Sequence, residues 1–195
     1  MHRAQTAAAF LQSTLTEPSQ IGLLTEPYAY KNKCIALPAG FKAVPRNATE
    51  QRPRAAIFHH HSLELVEIRH LSSRDCVVAL VPGPDPIVVV SMYLDILEEI
   101  RSDWLRQITN FAAEKQYKLV IGMDSNAHST LFGGDQTNSR GEALEEIILQ
   151  LGLMIENDGE APTFEVVRNL NHIRTFIDIT LSNHCSLLHS SGLEC

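Results

Sequence analysis

The stretch "KLVIGMDSNAHSTLFGG", Lys118 to Gly134, sets the reading of the whole chain. An apolar run, Leu119-Val120-Ile121, meets a glycine, and Asp124, Asn126 and His128 then follow on alternate positions. Val and Ile in a short continuous apolar run suit a strand buried on both faces. In open α/β sheets, ligands bind where loops leave the carboxyl ends of such strands. An acid, an amide and an imidazole at that point fit a ligand site. They fit equally an Asx-turn that satisfies the backbone as it leaves the sheet. The stretch alone does not separate the two.

Upstream of this strand, Ile100, Trp104, Ile108 and Phe111 recur at spacings of three and four. That period predicts a helix from about Leu97 to Glu114, with Trp104 in the core. Earlier still, "RAAIFHHH", "LELVEI", "CVVALV" and "PIVVVSMYL" are rich in β-branched residues, are punctuated by Pro and Gly, and read as strands. "IGLLTEPYAY" gives a short strand, Ile21 to Leu24, which Pro27 stops. "RAQTAAAFLQSTL" reads as an amphipathic helix. Downstream, "GEALEEIILQLGL" is a second amphipathic helix ended by Gly152, and "APTFE" and "TFIDITLS" are the last clear strands. With no repeat, low-complexity tract or linker, the pattern predicts one domain over residues 1–195, an α/β sandwich.

The bulk composition narrows the function. Hydrophobic residues make up 44% of the 195, charged residues 20%, and the net charge is −7. This excludes a basic nucleic-acid coat, whose binding rests on many Lys/Arg–phosphate contacts. It does not exclude an enzyme that grips a few phosphates around a metal. Cys34, Cys76, Cys185 and Cys195 form no C-x-x-C pair and are expected to be reduced thiols in an intracellular protein. The N-terminus has no secretory pattern, and the apolar region from Val77 to Leu97 is broken by "PGPDP", so no membrane span is expected.

Polar residues recur where strands end: Glu26, Tyr93 in "SMYLD", Asp124 with Asn126, and Asp178 in "FIDITL". Acids on separate apolar strands are costly to bury unless paired or metal-bound. One such acid has an ordinary structural explanation; several point to a divalent-cation hydrolase. Oxygen-only ligands suit Mg²⁺, which takes one or two carboxylates and keeps several waters. Other candidates have two readings each. His128 sits near a phosphate or stabilises its loop; Asn138 and Arg140 in "TNSRG" reach a phosphate, or Asn138 caps the helix that opens near Gly141. Lys42, Arg46, Arg52 and Arg54 form one basic cluster, a DNA-facing loop or a solvated face. His59-His60-His61 cannot all face one ion, because adjacent strand residues point to opposite faces, and an exposed strand end is expected.

"GMDSNAHSTLFGG", "NSRGEALEEII", "LGLMIENDGEAPTF" and "FIDITL", in this order and spacing, resemble the endonuclease domain of non-LTR (LINE-type) retrotransposons. That family is a branch of the endonuclease/exonuclease/phosphatase superfamily. "LLTEPY" matches its first acidic motif, and "RAAI" and "SMYLD" its middle strands, so the resemblance covers nearly the whole chain. It implies a two-sheet α/β sandwich flanked by helices. It also implies a Mg²⁺-dependent endonuclease, with Mn²⁺ as a substitute, that nicks target DNA in the nucleus. The freed 3′-hydroxyl would prime a reverse transcriptase domain of the parent element. Glu26 would bind the metal, Asp124 would orient or deprotonate the attacking water, and Asn126 and Tyr93 would contact the scissile phosphate. Asp178 would orient a catalytic histidine.

Two parts of the family pattern are not found. The family begins with a strand bearing an Asn before the segment that stands here as "HRAQTAA", and it ends on a Ser-Asp-His motif well beyond "FIDITL". The expectation is a domain truncated at both ends, and weakly active or inactive. Ser182-Asn183-His184 imitates the motif, but it follows Asp178 too closely to supply the histidine. The alternatives are a non-catalytic remnant that binds DNA or a partner, and a phosphatase of small phosphoesters. The "SNAHSTLFGG…NSRG" run argues against the phosphatase.

Overall fold

Alternating and continuous runs of β-branched residues become strands largely where the pattern puts them. The computed structural model describes residues 9, 11–34, 37–45, 51–157, 164–168 and 171–183, and the chain divides into units of residues 1–93 and 94–195.

The first unit is all antiparallel. Its strands are β1 (Ile21–Thr25), β2 (Ala29–Tyr30), β3 (Lys33–Cys34), β4 (Phe41–Val44), β5 (Ala55–His60), β6 (Val66–Glu67), β7 (Cys76–Val81) and β8 (Ile87–Tyr93). One ladder runs β1-β5-β4 and a second β6-β7-β8. Period-two alternation explains how they stack. Val44, Ala55 and Ile57 from the first ladder meet Val77, Ala79 and Val89 from the second. The intervening Ala56 and Phe58 face the other way and join Phe41, Leu11 and Leu15 in a second cluster, beside the helical residues 11–14. β5 is thus buried on both faces, as are most of β7 and β8. Ser91 Oγ donates to the Leu24 carbonyl at 2.8 Å and ties β8 to β1.

The second unit holds α1 (Ser102–Lys115), β9 (Lys118–Asp124), α2 (Ser139–Gln150), β10 (Met154–Ile155), β11 (Phe164–Arg168), β12 (Asn171–Thr175) and β13 (Asp178–Ser182). β13 lies between β10 and β9, antiparallel to both, and β11 pairs with β12. α1 stops at Gln116, which takes a left-handed φ of 56°, and Gly152 with φ 63° follows α2. Among the described residues no helix is long and apolar enough to cross a membrane.

Several expectations are corrected. α1 begins at Ser102, not Leu97, because the Asp95 side chain accepts from Leu97 N at 3.0 Å and holds a turn there. Its buried face is Leu105, Ile108 and Ala112, so Trp104 is half-buried, with the Arg101 guanidinium 4.5 Å from its ring centre. β9 is not buried on both faces: Leu119, Ile121 and Met123 are buried and alternate with partly exposed neighbours. That is the pattern of an antiparallel strand with one face on a core. His59 is buried, not exposed, and its Nδ1 lies 3.0 Å from the carbonyl oxygens of His60 and Leu63. β4, β12 and the β2–β3 hairpin had no clear signal. That hairpin turns on Lys31 and Asn32, both with positive φ (48° and 60°), in place of the usual glycine. Cys34 and Cys76 are free thiols; burial pushes Cys34 up to about 11 and Cys76 higher still. Both stay protonated near neutral pH and are poor nucleophiles. Cys185 and Cys195 lie outside the described residues.

Candidate functional site

The acids of the second unit meet through strand register. Asp124 ends β9, Asp178 opens β13, and the two are direct partners across the antiparallel ladder. Side chains of opposite partners share a face with Cβ atoms about 5 Å apart, and like charges there are destabilising.

The loop after Asp124 is pinned from every side. Asn126 N donates to Asp124 Oδ1 at 3.2 Å, which is the Asx-turn, and Asn126 Nδ2 donates to the Leu94 carbonyl at 3.0 Å. Leu94 N in turn donates to the Asp124 carbonyl at 2.9 Å. Asn126 holds a left-handed φ of 48°, a conformation asparagine tolerates better than most residues. Buried Ser125 donates through its backbone N (2.8 Å) and its Oγ (2.7 Å) to the Ile177 carbonyl, one residue before Asp178. The Asx-turn expected from the sequence is present, and it is built from the same residues as the candidate ligand site.

Arg140 locks the loop further. Its guanidinium donates to the carbonyls of Ser125 (3.2 Å), Glu98 (2.7 Å) and Asp95 (3.0 Å). Arg140→Lys keeps the charge but not the fork, and is expected to lower unfolding free energy by about 1–2 kcal/mol. An unchanged urea midpoint would show that these contacts stabilise nothing. Asn138 is the N-cap of α2; its Oδ1 accepts from Gly141 N at 2.7 Å and from His128 N at 3.3 Å. His128 joins the network through its backbone, its carbonyl accepting from Asn138 N at 3.0 Å.

The first unit carries Glu26 and Tyr93. Glu26 follows β1, is exposed, has φ 46°, and donates its backbone N–H to the Arg54 carbonyl at 2.8 Å. Positive φ in a non-glycine residue is strained by about 1–2 kcal/mol, and such strain concentrates at functional sites. Glu26 lines a 230 Å³ pocket with Arg52, Pro53, Arg54 and Arg74. Arg54 makes a bidentate pair with Asp75, Nε to Oδ1 at 2.6 Å and Nη2 to Oδ2 at 2.7 Å. Its guanidinium carbon lies 4.8 Å from the Tyr93 ring centre. Tyr93 N donates to the Asp75 carbonyl at 2.8 Å. Arg74 and Asp75 went unnoticed in the sequence, where "SRD" before an apolar strand reads as a solvated turn. Lys42 is exposed on β4, and Arg46 and His184 lie outside the described residues.

Among the described residues, no group of three or more His, Cys, Asp or Glu is arranged to hold a metal ion. Glu26 supplies a carboxylate at a pocket with open volume. Glu26 is the one carboxylate there among three arginines, so Mg²⁺, which binds through one or two carboxylates, waters and substrate phosphates, would fit only where phosphate oxygens join Glu26.

Residues 87–193 match the family model described as "Endonuclease-reverse transcriptase". The chain is similar to the endonuclease domain of TRAS1, a telomere-specific non-LTR retrotransposon. The identity is 26%, coverage 91% of this chain and 78% of that one, and the TM-score 0.74. It shares its fold with an endonuclease/exonuclease/phosphatase family protein from Leptotrichia buccalis (13% identity, 94% and 82% covered, TM-score 0.61). A mannosyl-6-phosphatase from Bacteroides thetaiotaomicron is similar at the level of the fold (12% identity, 91% and 76% covered, TM-score 0.57). Among curated proteins, none matches the chain.

Proposed function

Because the chain belongs to the endonuclease-reverse transcriptase family, we propose that it nicks one strand of duplex DNA with the help of Mg²⁺, for which Mn²⁺ can substitute. The freed 3′-hydroxyl then primes a reverse transcriptase domain of the parent element, in the nucleus. The observation that carries this reading is the pair of directly opposed carboxylates, Asp124 and Asp178, beside an asparagine held in a left-handed turn. A small phosphoester would need no long ordered match to a retrotransposon endonuclease.

Each residue has a task suited to its chemistry. Asp124 takes a proton from the attacking water, a role a positioned carboxylate fills. Asn126, fixed through one amide hydrogen on the Leu94 carbonyl, has a second amide hydrogen to donate to a phosphate oxygen. Tyr93, with its ring against Arg54, contacts the scissile phosphate through its hydroxyl. Asp178 is the acid that would orient a catalytic histidine, the part of the family pattern that the sequence does not show. Glu26 holds the cation, which when bound neutralises charge developing on the phosphate oxygens. His128 and Arg140 keep the loop in place.

Conversion of supercoiled plasmid to open circles tests the proposal. Relaxation is expected with Mg²⁺ and not with EDTA. Glu26→Gln is expected to lower the rate by at least about tenfold and to raise the Mg²⁺ concentration needed. No relaxation with either Mg²⁺ or Mn²⁺, while the chain still shifts the DNA in a gel, would favour a fold that binds DNA without cutting it.

A further inference from the structure

The pocket beside Glu26 gathers three of the chain's 16 Lys and Arg side chains, Arg52, Arg54 and Arg74. In a protein of net charge −7 this is a local reversal of sign. The five charged groups concerned, three guanidinium groups with Glu26 and Asp75, leave one net positive charge. We propose that this pocket is a subsite for a backbone phosphate of nucleic acid, with Arg52 and Arg74 as its donors and Arg54 as its fixed wall.

One donor, Arg74, and the wall, Arg54, are set up in advance. Asp75 holds the Arg54 guanidinium through both oxygens and accepts from Arg74 Nε at 3.1 Å. Arg74 Nη1 donates to Gln51 Oε1 at 2.8 Å, which fixes the plane of its guanidinium. A guanidinium has five N–H donors, and Arg74 Nη2 makes no hydrogen bond with a described residue. Arg52 is exposed, and neither hydrogen bond nor ion pair joins its side chain to a described residue. Pre-fixed forks lose little entropy on meeting an oxyanion, and their geometry matches phosphate bidentately. The 230 Å³ pocket has room for a phosphate group. Arg54 lines this pocket and also touches the Tyr93 ring. The anion chemistry stands on the pocket; the choice of nucleic acid rests on the nuclease reading.

The test is fluorescence anisotropy of the 195-residue chain with two short duplexes of unrelated sequence, titrated with salt. Arg52→Ala is expected to weaken both equally, by about tenfold at low salt, and to reduce the slope of log K against log [salt] by about one. Arg52→Lys should restore the slope but only part of the affinity, since a point charge replaces a fork. Arg106→Ala, which removes an exposed cation of α1, should leave affinity and slope as they are. Inorganic phosphate alone, followed by the NMR signals of the arginine Nε–H groups, should move Arg52 and Arg74. If Arg52→Ala matches the wild type in affinity and slope while plasmid nicking persists, the subsite is wrong and the nuclease reading stands. Phosphate shifts without any effect of Arg52→Ala on DNA would mean an anion site that nucleic acid does not use, which also overturns the proposal. A wild-type chain that binds neither duplex overturns both.

Discussion

Asp124→Asn is expected to lower plasmid nicking by about 10³-fold while leaving the chain at least as stable as the wild type. The rate effect follows from loss of a positioned general base, whose removal lies in the range of about 10²–10⁴. The stability effect follows from two contacts of Asp124. Its Oδ1 accepts from Asn126 N at 3.2 Å, and an asparagine carbonyl oxygen can accept the same bond. Its charge faces Asp178 across the ladder, so neutralising it removes a like-charge contact. Asp124→Ala removes base and turn together. It should lose as much activity and also about 1 kcal/mol of stability, the size of a lost local hydrogen bond. Nicking rates and urea midpoints of the two variants separate the roles. If Asp124→Asn cuts near the wild-type rate, Asp124 is a turn residue and nothing more.

The sequence exposes what repeats with a short period or carries chemistry at a strand end. β7, β8 and β9 are visible because Val and Ile crowd them, β5 and β13 because short apolar stretches meet polar residues, and Glu26, Asp124, Asn126 and Asp178 stand out as polar residues where apolar runs stop. β12 escapes because "NHIRT" has a single aliphatic residue and, among the described residues, pairs with β11 alone. The start of α1 escapes because Ile96 and Leu97 look like helix-face residues, yet Leu97 is 90% exposed in a turn made by Asp95. The supports of the site are hidden for a different reason: they are contacts between residues far apart in the chain. Arg54 and Asp75 are 21 residues apart, and Arg140 reaches carbonyls 42 and 45 residues away. No local pattern announces that Arg140 grips backbone, and a phosphate contact is an equally natural expectation for an arginine in a polar loop. The direct opposition of Asp124 and Asp178 is likewise a matter of register, which depends on how two distant strands align.

Gly141→Ala is expected to destabilise the chain by about 3 kcal/mol or more, against the usual sign for such a change. Ala in place of Gly in a helix ordinarily stabilises by about 1 kcal/mol. Gly141 is buried in the first turn of α2, where a Cβ would sit 2.0 Å from the His128 carbonyl oxygen and 2.9 Å from its carbon. Those are backbone atoms and cannot rotate aside, so the loop or the helix end must move. The displaced backbone is bonded on both sides of the contact: His128 O accepts from Asn138 N, and Asn138 Oδ1 accepts from both His128 N and Gly141 N. Overpacking of this kind exceeds the helix-propensity gain. Because His128 lies two residues beyond Asn126, the shift also carries toward the reacting groups, where a 1 Å misplacement costs about 10²-fold in rate. Gly83→Ala is the control, since no atom lies within 4 Å of its added Cβ, and it should change neither urea midpoint nor nicking. A Gly141→Ala chain as stable as the wild type would mean that the loop does not rest on the start of α2. The placement of Asn126 would then need another support.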